Sequence, residues 1–507
     1  MVEGFDTVVV GAGAAGAVIA ARMTERGDRQ VLLLEAGPDY ATPESLPQDL
    51  RDGTRNSLVA HDWGYTHSPN ARQVRFPMPR GKVVGGSSAV NTCIGLRGVP
   101  SDYDEWAARG LAPWSWAQCL PAFKRLETDL DRRDEWHGTD GPVPLRRHTP
   151  DELVPWQAAF LEAAAAIGMP RCDDTNHPEA KGYGPHAMNK IDGERMSAAR
   201  CYLTPEVRRR ANLTLRARTL VRRVVFRQRR AVGVEVESAS GRVYTIAAKR
   251  VVLCAGALAT PGVLLRSGVG PRAELDRLGV AVVSEVGAVA RRLLDHPGAA
   301  FFLWPKKGVC DLLHPLIQTT LRLRSKDGEH ENDLQLQAGS AVLMPTMNLP
   351  LVSIMCQVGK PAGYGLIRYP SADVRARPEI RSRLLDHPTD RARALEALEI
   401  GRAMAETPVM RDLARVVWPP PGVLASERFS RWIWAFCDSG YHPCGTVPMG
   451  ADDDPDAATD AYGRVRGTEG LLVADASLMP TVPTANTHLP TLMIGERFGE
   501  WLRDGVV

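Results

Sequence analysis

The sequence Val-Val-Val-Gly-Ala-Gly-Ala-Ala-Gly, residues 8–16, leads from a short apolar run into a glycine-rich turn. The apolar run predicts a buried strand, and the alanine-rich residues 17–26 predict a helix that follows the turn. In such a turn the first glycine permits the tight bend, the second lets the backbone approach a pyrophosphate, and the third allows close packing of the helix. The free N–H groups at the start of the helix then attract phosphates.

An acidic residue closes the next predicted strand. Residues 31–34 read Val-Leu-Leu-Leu, and Glu35 follows nineteen positions after Gly16. A carboxylate in this place accepts hydrogen bonds from a ribose diol. A GxGxxG pattern alone is weak evidence, but strand, turn, helix, strand and acid in this order predict a dinucleotide-binding α/β domain.

A second glycine-rich stretch, Gly-Lys-Val-Val-Gly-Gly-Ser-Ser-Ala-Val-Asn, occupies residues 81–91. Its glycines and hydroxyl groups suit main chain that lies tightly against a large, flat, polar ligand. Further along, residues 251–256 predict a buried strand that ends at a glycine turn. The alternating residues 333–337 and 351–355 predict an antiparallel sheet that faces a cavity.

Composition and charge narrow the class of protein. The 507 residues suit about two to four domains. With 62 basic and 59 acidic residues the net charge is +3, which argues against a nucleic acid or an anionic membrane as partner. The nine cysteines form no CxxC pair, so we expect reduced thiols and no metal site. The early first strand and the lack of an apolar run of about 18 residues predict a cytoplasmic protein without a signal peptide or membrane span.

Four blocks of the chain together resemble the glucose-methanol-choline (GMC) family of flavin-dependent oxidoreductases, and the resemblance extends over nearly the whole sequence. The blocks are residues 11–16 with Glu35, residues 81–91, residues 256–270 and residues 441–497. The third block closely follows Gly-Ala-x-x-Thr-Pro-x-x-Leu-Leu-x-x-Ser-Gly-Val-Gly, with one residue fewer before the serine. The resemblance implies noncovalently bound FAD, because some members tether the flavin through a histidine where this chain has Val90.

The fold implied by the resemblance is of the α/β class. We expect a discontinuous, Rossmann-like FAD-binding domain and an α+β substrate domain built on an antiparallel sheet. The expected boundaries are residues 1–150, 192–300 and 450–507 for the FAD-binding domain, and residues 151–191 and 301–449 for the substrate domain.

The resemblance also assigns the cofactor contacts, position by position. They are Gly11, Gly13, Ala14, Ala15 and Gly16 at the pyrophosphate, Glu35 at the adenosine ribose with Ala36 beside it, Val84, Asn91, Thr92, Cys93 and Ile94 around the flavin ring and its linker, Val221 at adenine, Asp475 and Ala476 on the second diphosphate side, and Thr491 near the flavin ring. Two places depart from the family. Gly95 replaces a residue that is often aromatic and is predicted to open space near the flavin, and Arg292 replaces an asparagine.

Oxidation of an alcohol requires a base for the hydroxyl proton, and histidine suits this role because its ordinary pKa is about 6.5. His442, in Tyr-His-Pro-Cys-Gly, matches the catalytic histidine of the family, and His488, in Asn-Thr-His-Leu-Pro, matches its second active-site position. Sequence alone does not decide which of the two is the base. We favour His442 as base and His488 as the group that stabilises the alkoxide. Cys93 and Cys444 lie inside these motifs and are interpreted as small packing residues.

The predicted function is oxidation of a small-molecule alcohol by hydride transfer from the CH–OH group to flavin N5, with oxygen or another oxidant as final acceptor. The alternative is an FAD-containing hydroxynitrile lyase of the same fold. A nucleotide-binding or sensor role is the third possibility, and the two motif histidines argue against it. The candidate residues for the substrate pocket are apolar or aromatic: Phe301, Phe302, Trp304, Met344, Met347, Trp432 and Trp434.

Overall fold

The computed structural model of the protein describes residues 4–72, 74–343, 348–424, 426 and 428–507. The helices in chain order are α1 (Ala14–Met23), α2 (Gln48–Arg51), α3 (Pro100–Ala108), α4 (Trp116–Leu126), α5 (Pro155–Ala166), α6 (Ala198–Tyr202), α7 (Pro205–Arg208), α8 (Thr260–Arg266), α9 (Arg272–Leu278), α10 (Pro388–Ala405), α11 (Pro408–Arg411), α12 (Pro421–Leu424), α13 (Phe429–Ala435) and α14 (His488–Asp504). Within these ranges no helix has both the length and the apolar character that crossing a bilayer requires.

The strands fall into two large sheets and several small ones. The strands of the N-terminal half are β1 (Gly4–Val10), β2 (Val31–Leu34), β3 (Thr66–Ser68), β4 (Phe76–Pro77), β5 (Glu127–Asp129), β6 (Val143–Leu145), β7 (Gly182–Pro185), β8 (Lys190–Ile191), β9 (Glu194–Arg195), β10 (Leu213–Arg216), β11 (Thr219–Arg227), β12 (Arg230–Ser238) and β13 (Val243–Leu253). Those of the C-terminal half are β14 (Val269–Gly270), β15 (Ser284–Glu285), β16 (Pro297–Pro305), β17 (Thr319–Leu323), β18 (Leu334–Gly339), β19 (Val342–Leu343), β20 (Asn348–Leu349), β21 (Val352–Val358), β22 (Leu366–Arg368), β23 (Glu379–Arg381), β24 (Ala414–Trp418), β25 (Asp438–Ser439) and β26 (Leu471–Val473).

The first large sheet contains the N-terminal motif. In the described residues its order is β10-β2-β1-β13-β12-β11, and β26 also pairs with β13. Five strands run parallel to one another: β10, β2, β1, β13 and β26. At the other edge β12 pairs antiparallel with β13, and β11 pairs antiparallel with β12. The buried run Val8–Val10 lies between β2 and β13, as its continuous apolar sequence predicts. The strand, turn and helix order is therefore confirmed, although α1 begins at Ala14, three residues earlier than expected, because it follows the turn directly.

The second large sheet is antiparallel, as the alternating sequence predicts. Its order in the described residues is β24-β16-β21-β18-β17-β7, and β25 pairs with β16. One face packs a separate apolar core against α5 and α10, with Leu334, Leu336 and Ile354 fully buried. Side chains that alternate with these point to the other face, which looks into the large cavity.

These two sheets give the α/β fold with an antiparallel substrate sheet that the sequence predicts. The strands of the second sheet come from residues 182–185 and from residues 297–439. The exact domain boundaries stay a prediction.

The third glycine of the turn offers a test of this packing. A Cβ atom on Gly16 would stand 1.9 Å from the carbonyl oxygen of Gly11 and 3.2 Å from the Cβ of Cys254. We expect Gly16→Ala to destabilise the protein by about 3 kcal/mol, since the carbonyl belongs to the main chain and has no room to move. Denaturant unfolding of the purified variant measures this loss. Gly287→Ala is the control, because its Cβ meets nothing within 4 Å, and equal stability of the two variants would contradict the prediction.

Candidate active site

A cavity of about 1280 Å³ is lined by residues of both large sheets. It brings together most of the site residues predicted from the sequence: Gly11, Gly13, Ala14, Ala15, Glu35, Ala36, Asn91, Thr92, Ile94, Val221, His442, Asp475, Ala476, His488 and Thr491. Gly16, Val84 and Cys93 are buried behind this lining. Gly16 supports the turn by packing.

The start of α1 has the donors that a pyrophosphate requires. Its N-cap, Gly13, makes no side-chain capping bond, and the first helical turn carries no acidic residue. The first intrahelical bond is donated by the N–H of Ala17 to the carbonyl of Gly13, at 3.0 Å. The preceding N–H groups are left for a ligand, and Ala14 and Ala15 line the cavity. The turn therefore fits the phosphates of a dinucleotide.

Glu35 lies at the opposite side of this turn. Its carboxylate accepts hydrogen bonds from the N–H of Ala12 at 3.1 Å and from the N–H of Gly37 at 2.8 Å. Burial raises the pKa of Glu35 to about 7, while these bonds act in the other direction. The carboxylate is thereby held in place with acceptor capacity left for a diol.

The side chain of Asp475 is bonded within the protein, and its predicted cofactor contact stays a prediction. One carboxylate oxygen accepts hydrogen bonds from the N–H of Gly256 at 2.8 Å and from Oγ1 of Thr260 at 2.6 Å. The other accepts the N–H of Ser477 at 2.8 Å. The side chain thus joins the turn after β13, α8 and the short helix that begins at Ala476. Its neighbour Ala476 is left to meet a ligand with its backbone.

The loop that carries His442 is held by a buried carboxylate. Oδ1 of Asp295 accepts the N–H of His442 at 2.9 Å and the N–H of His296 at 2.8 Å. Oδ2 of Asp295 accepts the hydroxyl of Ser439. Arg292, the departure noted above, donates to the carbonyls of Gly445 at 3.3 Å and of Pro480 at 2.9 Å. This arginine therefore holds the same loop from its other end.

A chain of hydrogen bonds determines which nitrogen of His442 carries a proton. The carbonyl of Pro483 can only accept, so Nε2 of His296 donates to it at 3.0 Å. Nδ1 of His296 is then an acceptor, and Nδ1 of His442 donates to it at 2.9 Å. Nε2 of His442 consequently has a lone pair, and it accepts a hydrogen bond from Nδ2 of Asn486 at 2.9 Å. His442 and Asn486 both line the cavity.

Burial keeps these rings neutral. It lowers the pKa of His442 well below its ordinary value, and the neighbouring His296 and Arg80 act in the same direction. Burial lowers the pKa values of His296 and His488 to about 4. Nε2 of His488 and Oδ1 of Asn486 are buried without a hydrogen-bond partner. Two polar atoms of lining residues are therefore without a hydrogen-bond partner among the described residues.

Two residues of this network were missed by sequence reasoning. His296 and Asn486 supply both hydrogen bonds of the His442 ring, whereas His488 supplies neither. His296 lies in Leu-Leu-Asp-His-Pro, next to the carboxylate that anchors the loop, and Asn486 lies two positions before His488. The signal available in the sequence was the histidine that directly follows an aspartate, at residues 295 and 296.

Several other expectations are corrected by the structure. Gly95 opens no space, since a Cβ there would stand 2.7 Å from Leu145 and 3.4 Å from Leu489. Among the pocket candidates only Phe302 lines the cavity, and Met344 and Met347 lie outside the described residues. The other four are elsewhere: Phe301 and Trp432 in the core, Trp304 on the surface at 57% exposure, and Trp434 bonded to Asp386. Cys93 and Cys444 are fully buried packing residues.

Comparison with known proteins agrees with this architecture. Residues 5–298 and residues 361–495 match two family models, both described as GMC oxidoreductase. The chain is 34% identical to 5-(hydroxymethyl)furfural oxidase of Methylovorus sp. (strain MP688), over 98% of each chain. It is also 34% identical to oxygen-dependent choline dehydrogenase 1 of Chromohalobacter salexigens, over 98% of this chain and 95% of the relative.

The fold is likewise similar to a solved structure. Pyridoxine 4-oxidase from Mesorbium loti superposes with a TM-score of 0.89 and 31% identity, over 98% of each chain.

The neutral state of His296 predicts how stability depends on pH. Its pKa in the folded protein, about 4, is lower than the ordinary 6.5, so the unfolded chain binds an extra proton as the pH falls through this window. The contribution of the neutral His296 ring to the free energy of unfolding is therefore complete above pH 6.5 and is lost towards pH 4. The loss between pH 6.5 and pH 5 is roughly 2 kcal/mol.

We expect His296→Leu to remove this part of the pH dependence. Urea unfolding at pH 7 and pH 5 should show a smaller acid loss for the variant than for the wild type. His387→Leu, at an exposed histidine, should keep the wild-type loss. An identical loss in all three proteins would disprove the assignment.

Proposed function

Because the chain belongs to the GMC oxidoreductase family, we propose that His442 is the general base for oxidation of a CH–OH group in the cavity described above. The enzyme is an FAD-dependent alcohol oxidase or dehydrogenase. The observation that carries the proposal is the hydrogen-bond chain from Pro483 to His442, which leaves Nε2 of His442 unprotonated in the cavity.

The residues present fit the cofactor. The uncapped start of α1 and the Glu35 carboxylate would hold the pyrophosphate and the ribose, and the backbone of Val221 would hold adenine. Asn91, Thr92 and the residues near Thr491 would line the flavin. When bound, FAD supplies the acceptor for the hydride that leaves the carbinol carbon.

The alcohol hydroxyl displaces Nδ2 of Asn486, which donates to Nε2 of His442 at 2.9 Å, and Nε2 then accepts the hydroxyl proton. The resulting imidazolium keeps its Nδ1–H bond to His296, whose own N–H bond to Pro483 prevents that ring from turning away. Buried neighbours that are already oriented stabilise such a charge without reorganisation. Asp295 adds to this by holding the backbone N–H of His442 at 2.9 Å.

His488 is the group proposed to stabilise the alkoxide. Its side chain stands at the first position of α14, and its Nε2 has no partner in the part of the chain that the structure describes. A neutral imidazole can donate one N–H to the developing charge, which typically contributes a few kcal/mol. Asn486, whose Oδ1 is also unpartnered, lies on the same wall.

The relatives bear on the acceptor and on the alternative function. Their names include two oxidases and one oxygen-dependent dehydrogenase, which supports oxygen as the acceptor here. These names also favour the oxidoreductase over a hydroxynitrile lyase. Release of cyanide from a cyanohydrin without bleaching of the flavin would instead favour the lyase.

Replacing the base tests the assignment of roles. We expect His442→Ala to slow anaerobic flavin reduction by an alcohol at least about 100-fold, since His488, the other histidine of the lining, is assigned the donor role. Stopped-flow absorbance of the flavin band measures the rate. His488→Asn keeps a donor and should lose no more than about tenfold, and His148→Gln, outside the cavity, should be unchanged. A loss below tenfold for His442→Ala would exclude general-base catalysis by this residue.

The manner of flavin attachment is a second test. Val90, which lines the cavity where some family members place a tethering histidine, offers no atom for a covalent bond. We expect acid precipitation of the holoenzyme to release free FAD into the supernatant, as measured by absorbance and mass spectrometry. Yellow colour that remains in the pellet would contradict noncovalent binding. A covalent flavoprotein treated in parallel serves as the control.

A further inference from the structure

A second chain of buried polar side chains crosses the antiparallel sheet and ends in the cavity. It begins at His186, which follows β7 and is 0% exposed. Nε2 of His186 lies 3.1 Å from Oε1 of Gln337 on β18. Nε2 of Gln337 lies 3.3 Å from Oε1 of Gln357 on β21. Gln337 and Gln357 line the cavity, whereas His186 does not.

The direction of this chain follows from its donors and acceptors. Oε1 of Gln337 can only accept, so Nε2 of His186 carries the proton. This agrees with the lone pair left on Nδ1 of His186, which is buried without a partner. Gln337 then turns its NH₂ group towards Gln357, whose carbonyl oxygen is used. The NH₂ group of Gln357 is left as a donor without a protein acceptor among the described residues.

That donor group stands next to the proposed base. A Cβ atom placed on Gly440 would lie 3.0 Å from Nε2 of Gln357 and 3.1 Å from Nδ1 of His442. The Gln357 donor therefore lies on the Nδ1 side of the His442 ring, and an alcohol whose hydroxyl reaches Nε2 of His442 can present a more distant acceptor to it. In an enclosed site an unpaired donor discriminates against molecules that have no acceptor for it.

Aromatic rings form the neighbouring wall of the cavity. Phe302 and Trp418 are register partners on β16 and β24, and both line the cavity. Phe436 meets Trp418 edge to face, with ring centroids 4.9 Å apart. Such a wall suits a flat ring more than a compact aliphatic alcohol.

We propose that Gln357 determines substrate specificity, by donating a hydrogen bond to an acceptor on the ring of an aromatic primary alcohol. This proposal rests on the function proposed above, because it requires the alcohol group to lie at His442. Gln337 and His186 are positioning residues, since they act by orienting the Gln357 amide.

The test uses matched alcohols that differ in one acceptor. Benzyl alcohols with a formyl group at the meta or para position are compared with vinyl analogues of the same shape, whose CH₂ group cannot accept. The comparison is the ratio of kcat/KM values within each pair, measured for the wild type and each variant. Intrinsic electronic effects of the substituent cancel when the ratios of two enzymes are compared.

We expect Gln357→Met to lower the formyl to vinyl ratio about tenfold for at least one ring position, with the vinyl substrate changed less than about twofold. Gln357→Glu, which keeps the shape but replaces the donor with an acceptor, should lower the ratio at least as much. His186→Leu should lower it by a smaller factor. Gln118→Met, at an exposed amide on α4 that does not line the cavity, should leave the ratio unchanged.

The outcomes separate this proposal from the general function. An unchanged ratio in both Gln357 variants would overturn the proposal, even if alcohols still reduce the flavin. Oxidation of aliphatic but of no benzylic alcohols by the wild type would also overturn it and leave the general function intact. Failure of every alcohol to reduce the flavin would refute the proposed function itself. The flavin absorbance spectrum of each variant verifies that it is folded.

Discussion

Main chain meets main chain at the centre of this molecule, where the turn after β1 lies against residues 85 and 86. The N–H of Gly85 donates to the carbonyl of Ala12 at 2.8 Å, and a Cβ on Gly86 would stand 2.7 Å from the Cα of Gly13. A side chain at residue 86 is excluded by this contact, and its positive φ of 54° also favours glycine. The contact joins the glycine-rich turn after β1 to the segment that leads to Asn91, and residues of both line the cavity.

The buried polar groups also determine the direction of their hydrogen bonds, that is, which atom donates and which accepts. Two hydrogen-bond chains reach the cavity, and each begins at a group whose role is unambiguous. The carbonyl of Pro483 only accepts, which leaves a lone pair on His442, and the amide oxygen of Gln337 only accepts, which leaves N–H donors on Gln357. His442, the proposed base, and Gln357, the proposed donor, thereby line the same cavity with their polarity already determined. Orientation of this kind before the substrate arrives is what makes buried polar groups effective in catalysis.

Burial has an energetic cost that the same chains reduce. Neutral rings of His186, His296 and His442 are taken out of water, and their lowered pKa values record how unfavourable a proton would be there. Unsatisfied polar groups in a site of low dielectric constant are expensive. Each of these rings has at least one hydrogen bond, although Nδ1 of His186 stays without a partner. Nε2 of His488 and Oδ1 of Asn486, which are also unpaired, belong to residues of the cavity lining.

The sequence by itself determined the features that depend on neighbouring residues. The glycine turn, α1, the acid at position 35 and the alternating strands of the second sheet all follow from local backbone geometry and from the period of the apolar residues. The motifs also predict that His442 and His488 lie in the site.

The contacts of these two side chains depend instead on the tertiary structure. The partner of Nδ1 of His442 lies 146 positions away and that of its Nε2 lies 44 positions away, so no local pattern encodes them. The same holds for Gln357, whose free donor exists because β7, β18 and β21 are brought together in one sheet. Hydrogen bonds between distant segments depend on how the sheets are assembled, and that assembly fixes which nitrogen can take a proton and which can give one.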